Sequence, residues 1–148
     1  MLTERIAKEL AQAQKARDAS RVSALRMLVA ALQTEAIAAR TQHLDDQAVQ
    51  HVLRRLVKQR QESIEAFRKG NRQDLAEREA AERTILEQYL PPSLSPEELR
   101  RIVQEAMQAV GATSAQDLGR VMKQAMGQLA GRADGKAVQQ LARELLGP

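Results

Sequence analysis

The stretch Asp117-Leu-Gly-Arg-Val-Met-Lys-Gln-Ala-Met-Gly-Gln-Leu-Ala-Gly-Arg-Ala-Asp-Gly-Lys136 has the period of an amphipathic helix. At about 100° per residue, Leu118, Val121, Met122, Ala125 and Leu129 gather on one side, and Gly119, Arg120, Lys123, Gln124 and Gly127 on the other. The first set is a core face, and the second interleaves glycine with cations. Glycine inside a helix costs about 1 kcal/mol relative to alanine, so two of them on a solvent face need a reason. Close approach of another backbone supplies one. A phosphate-sugar chain would use both features, because Arg and Lys answer its charge and Gly removes the side chains that would hold it off. The same glycines could admit a neighbouring helix, and scattered cations are an ordinary solvated face. The residues alone leave these readings open.

Toward the C-terminus, Gly131-Arg132-Ala133-Asp134-Gly135-Lys136 resembles a phosphate loop only superficially. Three residues separate its glycines where that motif needs four, Ala137 stands where Ser or Thr would hold magnesium, and a helix precedes it. Nucleotide hydrolysis is therefore rejected, and the segment reads as a connection whose Asp134 caps a last helix built on Val138, Leu141, Ala142 and Leu145. Arg132 and Lys136 flank that helix start, where free amides and the positive dipole end attract a phosphate. From Gly119 onward five cations face two acids.

In the other direction, Ser114 and Asp117 open the quoted helix. Before it, Ser95-Pro96-Glu97-Glu98 is a capping box with proline at the first helical position. Leu99, Ile102, Val103 and Ala106 give that helix its buried face, and Val110-Gly111 close it. Upstream, Leu90-Pro91-Pro92-Ser93-Leu94-Ser95 forbids helix and fixes an extended connector. The predicted organisation is an N-terminal helical domain over 1–90, a proline linker over 91–95 and a three-helix tail domain over 96–148.

Four helices are predicted in the first domain. Leu2, Ile6 and Leu10 mark the first, ending near Arg17. Asp18 or Ser20 caps the second, which carries Val22, Leu25, Leu28, Val29, Leu32 and Ala36 to about Thr41. Asp45 caps the third, with Val49, Val52, Leu53, Leu56, Val57, Ile64 and Phe67 inside and Gly70-Asn71 at its end. Asn71 or Asp74 caps the fourth, whose core side of Leu75, Ile85, Leu86 and Tyr89 is interrupted by Arg78 and Glu82. Thin contacts are expected there. Arg54, Arg55 and Lys58 read as a solvated helix face.

The composition agrees with an all-α chain of 148 residues. Phe67 and Tyr89 are its only aromatics, so the core is aliphatic, and no alternating strand pattern occurs. There is no Cys, hence no disulfide and no thiolate. The longest apolar run, Met27 to Leu32, is too short to cross a bilayer. No targeting segment is recognisable before the first helix, and a cytoplasmic location is expected. A net charge of +4 is mild and suits an RNA partner without requiring one. His43, Asp45, Asp46 and His51 bring both histidines near two acids, but their spacing does not set adjacent ligands on one helix. No metal, catalytic residue or cofactor is predicted.

Six segments in order then carry a resemblance: Leu25-Arg-Met-Leu28, Lys58-Gln-Arg-Gln-Glu-Ser-Ile-Glu65, Arg72-Gln-Asp-Leu75, Leu86-Glu-Gln-Tyr-Leu-Pro91, Gly119-Arg-Val-Met-Lys123 and Gly131-Arg-Ala-Asp-Gly135. Together they resemble the stand-alone YqeY proteins of the GatB/YqeY family across nearly the whole chain. That family joins a helical N-terminal part to a small helical tail. A similar tail closes the B subunit of the glutamine-dependent tRNA amidotransferase, where it helps bind tRNA away from the chemistry. The family usually reads Met-Gly-Lys-Val-Met where this chain has Leu118-Gly-Arg-Val-Met122, a change that keeps apolar and cationic character. The resemblance implies a partner, tRNA or a tRNA-modifying complex, contacted through Gly119, Arg120, Lys123, Gly127, Gly131, Arg132 and Lys136. It does not carry over the amidotransferase's magnesium and ATP site. Two alternatives stand beside this reading: a protein-protein adaptor, and an accessory subunit of a carbon-nitrogen ligase that uses glutamine as amido-N donor.

Overall fold

Seven α-helices and no strand make up the chain, as described by a computed structural model of all 148 residues. They fold as two compact units, Met1–Leu90 and Pro91–Pro148.

The first unit holds α1 (Leu2–Ala16), α2 (Ala19–Ala38), α3 (Asp46–Lys69) and α4 (Gln73–Glu87). Helix α1 stops because Arg17 turns left-handed at φ 57°, and the Asp18 N–H then donates back to the Ala13 carbonyl. Asp18 starts α2 at once, its carboxylate accepting from the Arg21 N–H at 3.2 Å. Asp45 does the same for α3 through Ala48 N–H at 2.8 Å. Ile6, Leu25, Leu28, Leu32, Leu44, Val49, Val52, Leu53, Leu86 and Tyr89 form one buried cluster. Each fully buried aliphatic side chain there contributes roughly 1.5–3 kcal/mol.

Helix α4 departs from expectation twice. Its N-cap position is Arg72, with no side-chain cap, because Asp74 lies inside the first turn with both carboxylate oxygens on the Arg72 guanidinium at 3.2 Å. Its contacts are not thin, since α3 and α4 form the most extensive helix pair of the chain. Glu82, only 4 % exposed, fits there because α3 supplies its countercharge, Arg60 Nη2 at 3.2 Å, and Ser23 donates to it at 3.0 Å. Arg60 also holds Glu79 at 2.9 Å. The interruption seen in the sequence is thus an interhelical ion cluster, while Arg78 stays exposed.

The second unit comprises α5 (Pro96–Val110), a 3-10 turn (Ala115–Asp117), α6 (Leu118–Leu129) and α7 (Gly135–Leu146). Ser95 and Glu98 complete the capping box, with Ser95 Oγ accepting from Glu98 N–H and the Glu98 carboxylate from Ser95 N–H. Gly111 ends α5 in the left-handed conformation at φ 66°. The core repeats one pattern on all three helices, a fully buried valine with a small neighbour one turn away: Val103 and Ala106, Val121 and Ala125, Val138 and Ala142. Alanine at these positions lets the three backbones close around Leu129 and Ile102 without an aromatic. No helix of the protein is long and apolar enough to cross a membrane.

Candidate nucleic-acid interface

The candidate surface starts from the cap of α6. Ser114 and Asp117 form a capping box around the 3-10 turn. The Asp117 carboxylate accepts from the N–H groups of Thr113 at 2.9 Å and Ser114 at 3.2 Å, and from Arg120 Nη2. Those backbone donors, led by Thr113 and joined by the Arg120 guanidinium, pull its pKa down to about 2. Arg120 is held a second time, donating through Nη1 to the Val110 carbonyl at 3.1 Å. Its side chain nevertheless remains 60 % exposed.

Val121, Ala125 and Leu129 are fully buried, so the opposite side of α6 must face solvent. Gly119 and Gly127 lie there, and a Cβ built on either meets nothing within 4 Å. These glycines therefore serve no close packing inside their own unit. Lys123 stands midway between them, exposed and without an ion pair. Beside this stripe runs a groove of about 610 Å³ lined by Val110, Arg120, Lys123, Gln124, Gly127 and Gln128.

The structure thus brings Arg120, Lys123 and Gly127 together in one groove and sets Gly119 a turn away on the same exposed face. Gly131, Arg132 and Lys136 lie outside the groove lining. Arg132 donates to the carbonyls of Leu129 at 3.1 Å and Gln128 at 3.3 Å, closing the end of α6. Lys136 stands in the first turn of α7, its N–H 3.5 Å from the Asp134 carboxylate that caps that helix. Sequence reasoning had placed Gln124 on this face without a role and had not singled out Gln128 or the Val110 carbonyl. Only the packing of α6 against the end of α5 joins them.

At the second predicted cluster, Asp45 caps α3 and Asp46 accepts from the Leu2 N–H at 3.0 Å. No three His, Cys, Asp or Glu side chains gather as a metal site. A different cluster, undetectable from sequence spacing, joins the ends of the first unit. The Tyr89 hydroxyl donates to Glu9, Arg21 reaches Glu9 at 2.8 Å and Gln88 at 3.2 Å, and the Arg5 guanidinium lies 5.0 Å above the Tyr89 ring. Burial first, then the Glu9 carboxylate, pushes the Tyr89 phenol up to about 12. The Tyr89 hydrogen bond in turn holds Glu9 below its ordinary value.

A family model described as Yqey-like protein matches residues 3–146. The chain is also similar to altered inheritance of mitochondria protein 41, mitochondrial, from three fungi. With the protein of Lachancea thermotolerans it shares 39% identity over 83 residues, 56% of this chain and 44% of that protein. With that of Eremothecium gossypii it shares 34% over 93 residues, 62% and 51% respectively. With that of Pyrenophora tritici-repentis the figures are 32% over 107 residues, 69% and 58%. The chain spans about half the length of the curated relatives it matches. Their names are those of mitochondrial proteins, which overturns the cytoplasmic expectation. That expectation had rested on reading the first residues as amphipathic helix, a feature that does not report a compartment. With the family model spanning all seven helices, the chain belongs to the YqeY-like family.

Proposed function

We propose that this protein is a non-catalytic helical module that binds tRNA, alone or within a tRNA-modifying complex, through the exposed face of α6. The observation that carries the reading is the open space over Gly119 and Gly127 on either side of the unpaired Lys123. A helix gives up about 1 kcal/mol for each such glycine, and nothing within the unit occupies the space they clear. A polyanion fits it, because the ammonium attracts phosphate while the bare backbone lets the sugar-phosphate chain approach. Arg120 stands beside Lys123 with its guanidinium held in place by the Val110 carbonyl and Asp117. The Asp117 carboxylate answers part of its charge, and the guanidinium still has N–H donors to offer a phosphate.

The test is titration of the full chain with bulk tRNA at several salt concentrations. Binding should weaken linearly in log–log form as salt rises, and Lys123→Ala should lower the slope by about 1, the loss of one phosphate contact. Absence of binding at low salt, or a slope that Lys123→Ala and Arg120→Ala together leave untouched, overturns the reading and favours a protein-protein adaptor.

A further inference from the structure

We infer that the α6 groove selects ribose over deoxyribose, with the carboxamides of Gln124 and Gln128 bonding the 2′-hydroxyls of a structured RNA. The inference rests on the RNA reading above and adds to it a chemical discrimination. Both glutamines line the groove with Lys123 and Gly127. Neither carboxamide has a hydrogen-bond partner within the chain. Four residues apart on one helix, they lie on the same side about 6 Å apart along the axis.

The choice of side chain is informative. A phosphate oxygen only accepts hydrogen bonds, so a groove built for phosphate alone needs donors alone, and Lys123 with Arg120 already supplies them. A carboxamide both donates and accepts, which matches a hydroxyl. In A-form RNA the wide, shallow minor groove displays 2′-hydroxyls beside the phosphates, and that hydroxyl separates RNA from DNA. A shallow helical surface opened by Gly127 suits this shape. The second unit itself carries no aromatic side chain on which a base could stack.

The experiment compares binding of the full chain to an RNA hairpin and to a DNA hairpin of the same sequence. Two neutral hydrogen bonds correspond to about tenfold weaker binding of the DNA. In Gln124→Leu/Gln128→Leu the RNA affinity should fall by about the same factor, with DNA affinity and the salt slope unchanged. Equal affinity of the natural protein for both hairpins overturns the inference, while salt-dependent binding weakened by Lys123→Ala still leaves the phosphate reading standing. Equal losses for RNA and DNA in the double variant also overturn it, assigning the amides to base edges or to the fold. No binding of either hairpin removes both readings. The comparison on the natural protein needs no variant, so a poorly folded variant does not protect the inference.

Discussion

The Arg120 guanidinium of α6 donates to the Val110 carbonyl, the last of α5, at 3.1 Å. A helix leaves its final carbonyls without intrahelical partners, and here the next helix satisfies one. Arg132 repeats the device at the end of α6 with the Leu129 and Gln128 carbonyls. Two of the cations assigned to RNA from the sequence thus also close helices, whereas Lys123 has no such task.

The two side chains should therefore separate in experiment. Arg120→Ala is expected to cost about 1 kcal/mol in denaturant unfolding of the full chain, through the lost carbonyl bond and Asp117 contact. Lys123→Ala should leave stability within about 0.5 kcal/mol and still reduce the salt dependence of tRNA binding. Equal stability losses in both variants would show that Lys123 is tied into the fold.

Gly127 offers the sharpest separation of fold from function. Its Cβ site is empty, so Gly127→Ala should raise stability by about 0.5–1 kcal/mol through helix propensity alone. Gly127→Leu should keep the fold, as the added carbons point into open space, yet weaken tRNA binding by holding the backbone away. Thermal melting and titration on the same samples check both. Unchanged binding by the leucine variant would remove the close-approach argument.

What was legible in the sequence follows the range of the interactions. Ser95 with Glu98, Asp18, Asp45 and Asp134 announce helix starts because a cap acts over three residues. The exposed character of the Gly119 and Gly127 side followed from period alone. Glu82 was misread because its partner Arg60 is on a different helix, and one residue pattern serves equally for a broken core face and for a buried pair. Tyr89 with Glu9 was missed for the same reason, the two residues being 80 positions apart. The groove needed the end of α5 beside α6, and its amides carried no motif.

The Tyr89 clamp makes stability depend on alkaline pH. The phenol titrates near 10 unfolded and at about 12 folded. A folded-state pKa that is raised means the contribution is complete below pH 10 and is lost as pH climbs toward 12. Two pH units set a ceiling of about 2.7 kcal/mol on this loss, and solvent screening of the phenol brings it below that. Tyr89→Phe should remove this alkaline limb and cost about 1 kcal/mol at neutral pH, where Glu9 keeps Arg21 and Arg5. Urea midpoints measured between pH 8 and pH 12 check it. An alkaline limb that persists in the phenylalanine variant would assign the effect to other groups.

The Arg60 and Glu82 pair predicts a rescue. Glu82 is 4 % exposed and Arg60 sits between it and Glu79, with Nη2 also 2.8 Å from Met27 Sδ. Removing the cation strands a buried carboxylate, so Arg60→Met should cost about 3 kcal/mol. Removing both charges relieves that penalty, because the expense of a buried pair is chiefly desolvation and methylene packing can replace it. Arg60→Met/Glu82→Leu should therefore recover most of the loss, reduced by the hydrogen bond that Ser23 gives Glu82 and by the countercharge that Glu79 loses with Arg60. A double-mutant cycle by denaturant unfolding measures the coupling. Additive losses would mean that Glu82 is solvated in solution and that the α3 and α4 interface is held by its aliphatic contacts alone.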